Sequence, residues 1–86
     1  MNINELIAIV KKKLITQIVI ESIKIEDKTF LHKNHKGNQD GKFHLKIIIE
    51  SKELKKMKKI ESNKKIYKIL NDEIKSFIHS LQLSIN

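Results

Sequence analysis

The sequence contains no cysteine and no arginine, and only two glycines, one tyrosine and three phenylalanines in 86 residues. Without cysteine the chain supplies neither a disulfide nor a thiolate, which excludes a thiol nucleophile and any metal site built on its own sulfur. Without arginine, the net charge of +8 rests entirely on lysine. Lysine attracts phosphate diffusely, whereas the bidentate contacts that read base edges favour the guanidinium fork. A Lys/Ile/Asn excess is also what codon bias produces, so the basic balance by itself points only weakly to nucleic acid. No apolar stretch approaches the ~20 residues needed to cross a bilayer. The first residues, with Asn2, Asn4 and Glu5, lack the basic n-region of a secretory signal. The expectation is a soluble cytoplasmic protein with no membrane role. Enzyme signatures are missing as well: there is no G-x-S-x-G, no P-loop and no paired carboxylates in a plausible pocket. A chain of this length makes one domain, able to bury roughly 60–65% of its unfolded surface around a small core.

What is present is organised around residues 42–51, KFHLKIIIES, which hold the longest aliphatic run, Ile47 to Ile49. Phe43, Leu45, Ile47 and Ile49 fall on one face at period two, with His44, Lys46, Ile48 and Glu50 on the other. This predicts a central strand with one fully apolar side. Upstream, Asn2 with Glu5 three residues on resembles a capping box with an amide in place of the hydroxyl. Ile3, Leu6, Ile7, Val10 and Leu14 then follow helical spacing over about residues 3–16, with Lys11, Lys12 and Lys13 facing out and suiting the helix dipole. Residues 18–27 become alternating from Glu21 onward, with Ile23 and Ile25 inward, and predict a second strand.

From Lys28 to Gly41 the apolar pattern stops and both glycines appear, which predicts a long loop less ordered than its flanking strands. His32 and His35 lie in it. Imidazole is a good ligand for zinc, copper and iron, although H-x-x-H with no Cys or carboxylate pair nearby is a weak metal signal. Ser51 can cap a short helical turn at 52–54. Eight lysines against Glu53 and Glu61 follow between residues 52 and 68. Ser62 can cap a further helix whose buried stripe is Ile66, Leu70, Ile74 and Phe77. His79, Leu81, Leu83 and Ile85 alternate with Ser80, Gln82 and Ser84 in a third strand. The predicted order is helix, strand, strand, short helix, helix, strand: an α+β domain whose three-stranded sheet is covered on one face by two main helices.

These residues carry a family resemblance. The Phe43-His44-Leu45 strand ending at Ser51 resembles the T/S-H-F strand of BolA-like proteins. The spacing on to Ile66-Tyr67, Leu70, Glu73-Ile74 and Ile78-His79-Ser80-Leu81 resembles that family's arginine-histidine-arginine-x-val-tyr helix and closing I-H-A-L strand. The match runs without gaps from 43 to about 83, and before Asp27 it holds only in pattern. The resemblance implies a single BolA-like domain over 1–86 with the α-β-β-α-α-β order of class II KH-like folds.

It also implies a non-enzymatic role, as partner of a monothiol glutaredoxin in iron–sulfur cluster trafficking or iron sensing. The two proteins share a [2Fe–2S] cluster: glutaredoxin and glutathione supply thiolates, and the BolA-like chain adds a helix histidine and a loop His or Cys. His32 matches the loop ligand, and His35 is a compensating candidate. The helix-histidine position is Asn63, whose amide offers no imidazole nitrogen, so ligation is expected to be impaired there. The aromatic and glycine of the family's F-x-G turn are Leu54 and Lys56. His44 and His79 match family positions and are read as strand-forming or sheet-edge packing residues. Some bacterial members are implicated in DNA binding and transcription. The alternative expectation is therefore a nucleic-acid-binding regulator using segment 52–68, with Lys55, Lys56, Lys58, Lys59, Lys64 and Lys65 as its surface. The chain lacks the G-x-x-G loop with which KH domains clamp a backbone, so such affinity is expected to be salt-sensitive and sequence-blind. Self-association into a homodimer stays open.

Overall fold

Strand formation at residues 43–50 follows from β-branched residues alternating with polar ones, and the rest of the chain assembles on that strand. The computed structural model describes residues 1–29 and 42–86. The element order is α1 (Ile3–Gln17), β1 (Ser22–Asp27), β2 (Phe43–Glu50), α2 (Lys52–Lys55), α3 (Lys59–Ile69), α4 (Asn71–Ser76) and β3 (Ile78–Ile85). The sheet has the order β1-β2-β3, with β1 antiparallel and β3 parallel to the central strand. Ile23 and Ile25 face Ile49 and Ile47 on one side, while Leu81, Leu83 and Ile85 face Leu45, Ile47 and Ile49 on the other. Leu45, Ile47 and Ile49 are at most 1% exposed. They pack against Leu6, Val10, Leu14, Leu54, Ile66 and Leu70 from the helices. The opposite face carries Lys24, Glu26, Lys46, Gln82 and Ser84, with the half-buried Ile48 among them.

Local chemistry sets the helix starts. The Asn2 side chain accepts from the Glu5 amide and donates to the Glu5 carboxylate, both at 2.8 Å, closing the expected capping box. Ser51, wholly buried, accepts from the Leu54 amide at 3.2 Å as cap of α2 and donates to the Val19 carbonyl at 2.8 Å. One hydroxyl thus joins the end of β2, the start of α2 and the link from α1 to β1.

Three expectations need correction. Ser62 does not cap a helix: α3 begins three residues earlier, and the buried Ser62 hydroxyl donates back to the Lys59 carbonyl at 2.9 Å. A hydroxyl can bond back to a carbonyl inside a helix as readily as it caps one, and spacing alone does not separate the two. The long helix is also two helices, broken at Leu70 (φ −97°, ψ 15°), although Leu70 remains buried. Lys13 does not simply face out. Its ammonium donates to both oxygens of Glu73, at 2.9 and 2.8 Å, and ties α1 to α4. The expected loop falls mainly on residues 30–41, outside the described residues.

Two stability effects follow. Glu73 is buried beside a Lys13 side chain that keeps about a third of its exposure. Lys13→Met is expected to cost about 1–3 kcal/mol by leaving that carboxylate without its cation. Adding Glu73→Gln should return part of the loss in urea unfolding. Glu53 accepts from Lys65 Nζ at 3.0 Å and from the Val19 amide at 3.3 Å. The Lys65 hydrogen bond, then the Val19 amide, holds its carboxyl below the ordinary value of 4.5. A lowered pKa means that the folded state favours the charged form, so this stabilisation is present above pH 4.5 and fades as pH falls through the folded value. Glu53→Gln should flatten that acid limb of the melting temperature against pH. An unchanged slope would show that Glu53 does not set it.

Candidate functional site

Two groups of functional side chains lie toward opposite ends of β3. The first depends on a register shift. Phe43 pairs with Ile78 but His44 pairs with Ser80, so His79 is an extra residue on β3 with no opposite number on β2. Such bulges re-aim side chains, and here His79 is exposed while Ile78 is buried. The His44 and His79 rings meet edge to face, with centroids 4.9 Å apart and planes at 60°. The buried His44 shares a 2.6 Å hydrogen bond between Nδ1 and Ser80 Oγ.

Both ends of segment 30–41 reach this corner. The His44 amide donates to Thr29 Oγ1 at 3.2 Å, and the Lys28 amide donates to the His44 carbonyl at 2.7 Å. Thr29 is in turn held by Asp27, whose carboxylate accepts from its amide at 2.9 Å and from its hydroxyl. Lys42, at the other end, reaches the Lys75 carbonyl. His32 and His35 themselves lie outside the described residues.

Asn63 is not at this corner. It lines an open cleft of about 390 Å³ with Leu54, Lys55, Met57, Lys59, Ser62, Leu83, Ser84 and Ile85. From His79 to Ser84 is about 17 Å along the strand at ~3.3 Å per residue. The histidine pair is what sequence reasoning missed. Two histidines 35 positions apart carried only their family positions as a signal, and it is the bulge that brings their rings together.

The cleft forms the second group. Lys55, Lys56, Lys58 and Lys59 are all exposed around the turn from α2 to α3, and Lys55 and Lys59 line the cleft directly. Lys58 occupies the N-cap of α3 with no side-chain capping bond. Lys64 is exposed on α3, whereas Lys65 turns away to pair with Glu53. The six lysines expected as one surface are therefore a cluster of four at the turn, with Lys64 beyond it and Lys65 committed elsewhere.

Among the described residues, no group of three or more His, Cys, Asp or Glu could hold a metal. No helix among these residues is long and apolar enough to cross a membrane.

Comparison with known proteins agrees with this architecture. DNA-binding transcriptional regulator BolA of Haemophilus influenzae is 29% identical over 77 residues, which cover 90% of this chain and 72% of that protein. The fold is shared with BolA1 from Arabidopsis thaliana, at a TM-score of 0.78 and 24% identity over 92% of this chain and 87% of that one. The BolA domain of SufE1 from the same plant superposes at 0.77, with the same identity and coverage. The family model described as BolA-like protein matches residues 14–86, taking in the sheet, the histidine corner and the lysine turn, and the chain belongs to the BolA-like family.

Proposed function

We propose that this protein is a binding partner, not an enzyme, and that its partner is a cytoplasmic monothiol glutaredoxin with which it carries a [2Fe–2S] cluster in iron–sulfur trafficking or iron sensing. The observation that supports this reading is the exposed imidazole of His79, backed by His44, at the corner where the segment bearing His32 and His35 leaves and rejoins the sheet. The cluster is cargo. A chain without cysteine needs thiolates from its partner and from glutathione, and histidine nitrogens raise the potential of such a centre relative to an all-thiolate one. His79 would contribute one nitrogen. His32, or His35 in its place, would contribute a second. Asn63, on α3, lines the cleft beside the Leu83–Ile85 end of β3 and not this corner, so in this reading its lack of an imidazole does not impair the site.

Anaerobic co-purification with a monothiol glutaredoxin and glutathione, followed by visible absorption and circular dichroism, tests this. His79→Ala is expected to speed cluster loss by about tenfold or more, with His32→Ala next in effect. Asn63→His should leave the spectrum unchanged. A His79→Ala complex as stable as the parent, or no coloured complex at all, would sink the reading.

A second reading, nucleic-acid binding in transcriptional regulation, is favoured by the four exposed lysines at the α2–α3 turn and by the regulator name of the Haemophilus relative. Ammonium groups of this kind act through counterion release and do not discriminate bases. Replacing Lys55, Lys56, Lys58 and Lys59 by Gln should abolish binding about equally for every sequence tested and give a shallower salt slope. A surviving preference for one site would show that other residues read the bases.

A further inference from the structure

The sheet has two edges, and they differ. Beside β3 runs α3, whose Tyr67 hydroxyl already donates to the Leu81 carbonyl at 3.3 Å. At the β1 edge, the phase of the ladder decides what is offered. The Lys28 amide donates to the His44 carbonyl, and β1 pairs with β2 without a shift from Ser22 to Asp27. Alternate residues of an antiparallel pair address the neighbouring strand, so Lys24, Glu26 and Lys28 turn their main-chain groups to β2. Ile23, Ile25 and Asp27 turn theirs outward. Among the described residues none of these outward groups meets a partner. The side chains along the polar face of this edge alternate in sign. Glu26 stands between Lys24 and Lys28, 3.7 Å from each ammonium, and the Lys24 side chain keeps 70% of its exposure. A lysine on an edge ordinarily guards it against pairing. Here the counter-charge lies two residues away on the same strand.

We propose that β1 pairs antiparallel with β1 of a second copy of this chain, Ile25 against Ile25 across a two-fold axis, joining two sheets into one. Two conditions select this register. The backbone phase requires residues with outward groups to face one another, which fixes the pairing to steps of two residues. Charge then chooses among the steps. With Ile25 against Ile25, Lys24 faces Glu26 of the second copy, and symmetry repeats the pair. Both sit at non-hydrogen-bonded positions, where side chains come closest and opposite charges attract. One step to either side sets Lys24 against Lys24, or Glu26 against Glu26 with Lys24 against Lys28. A further step sets Asp27 against Asp27 or carries Glu26 past the end of the facing strand. In the selected register every outward N–H and C=O of Ile23, Ile25 and Asp27 is paired. Ile23 faces Asp27 of the second copy, whose carboxylate is already held by the Thr29 amide and hydroxyl. The contact is isologous, as a closed dimer requires. It is also narrow, below about 1,200 Å², so the dimer is weak and forms only at high concentration.

The test is sedimentation velocity on the full chain across a wide concentration range, with amide hydrogen exchange followed in parallel. The parent chain is expected to pass from monomer to dimer, and protection of the Ile23, Ile25 and Asp27 amides should rise with the dimer fraction. Lys24→Glu or Glu26→Lys alone turns both charge pairs into like-charge pairs and should weaken the dimer by about tenfold or more. An equal mixture of the two variants should associate again as a heterodimer, since each then faces its opposite. The double variant, Lys24→Glu with Glu26→Lys, should recover the homodimer. Lys11→Glu, the same charge change on α1, should leave association within about twofold of the parent. If a single variant fails to fold, the double variant and the protected amides of the parent chain still test the register. Association that survives both single variants, or protection that appears at Leu81, Leu83 and Ile85 instead, places the contact elsewhere and overturns the proposal. So does a mixture that stays monomeric while the parent dimerises. A parent chain that is monomeric at every concentration leaves the edge to a strand of some other protein, and the proposal falls.

Discussion

The rest of the molecule depends on the burial of a single row of side chains, Leu45, Ile47 and Ile49, on one face of the central strand. The strand is hydrogen-bonded on both sides, so its backbone is satisfied within the sheet and its apolar row can be closed only by helices. Helix α1 brings Leu6, Val10 and Leu14, α2 brings Leu54, and α3 with the break after it brings Ile66 and Leu70. Every helix therefore lies on the same side. The other side keeps the polar partners of the row, and chemistry is confined to that face, to the sheet's edges and to the ends of its strands.

This constraint separates the two candidate sites. At one end of β3 the register shift turns His79 outward beside His44, next to the chain entering and leaving segment 30–41. Toward the other end the α2–α3 turn must cross from the end of β2 to the edge of β3, and it carries its lysines to the mouth of the cleft. One corner is rich in imidazole and the other in ammonium. Imidazole nitrogen is a ligand for transition metals, and ammonium pairs with phosphate.

The ion pairs serve this arrangement. Lys13 with Glu73 holds α1 against α4, and Lys65 with Glu53 holds α3 against α2 and the Val19 amide. Both withdraw a lysine from the general positive surface and place it between elements. What remains at the α2–α3 turn is Lys55, Lys56, Lys58 and Lys59, all exposed, with further exposed lysines on α1, β1, α3 and α4.

Much of the fold was legible in the sequence because it rests on short-range regularities. Period-two alternation identified β2 and its apolar face. The Asn2–Glu5 spacing identified the start of α1, and Ser51 identified the start of α2. The family was legible too, because its motif residues fall at unbroken spacing from Phe43 onward. The rest depended on contacts between residues distant in the chain. Ser62 looks like a cap by spacing, but its hydroxyl turns back to Lys59 once the lysine turn has already started the helix. Lys13 finds Glu73 60 positions away, and no periodicity announces such a pair. Asn63 shares the family's motif with the histidine positions, yet packing sends it to the cleft and not to the imidazoles. His79 became a candidate ligand only through the tertiary structure: a one-residue slip between parallel strands, after the Phe43–Ile78 pair, decides which side chain faces out, and sequence periodicity does not announce it.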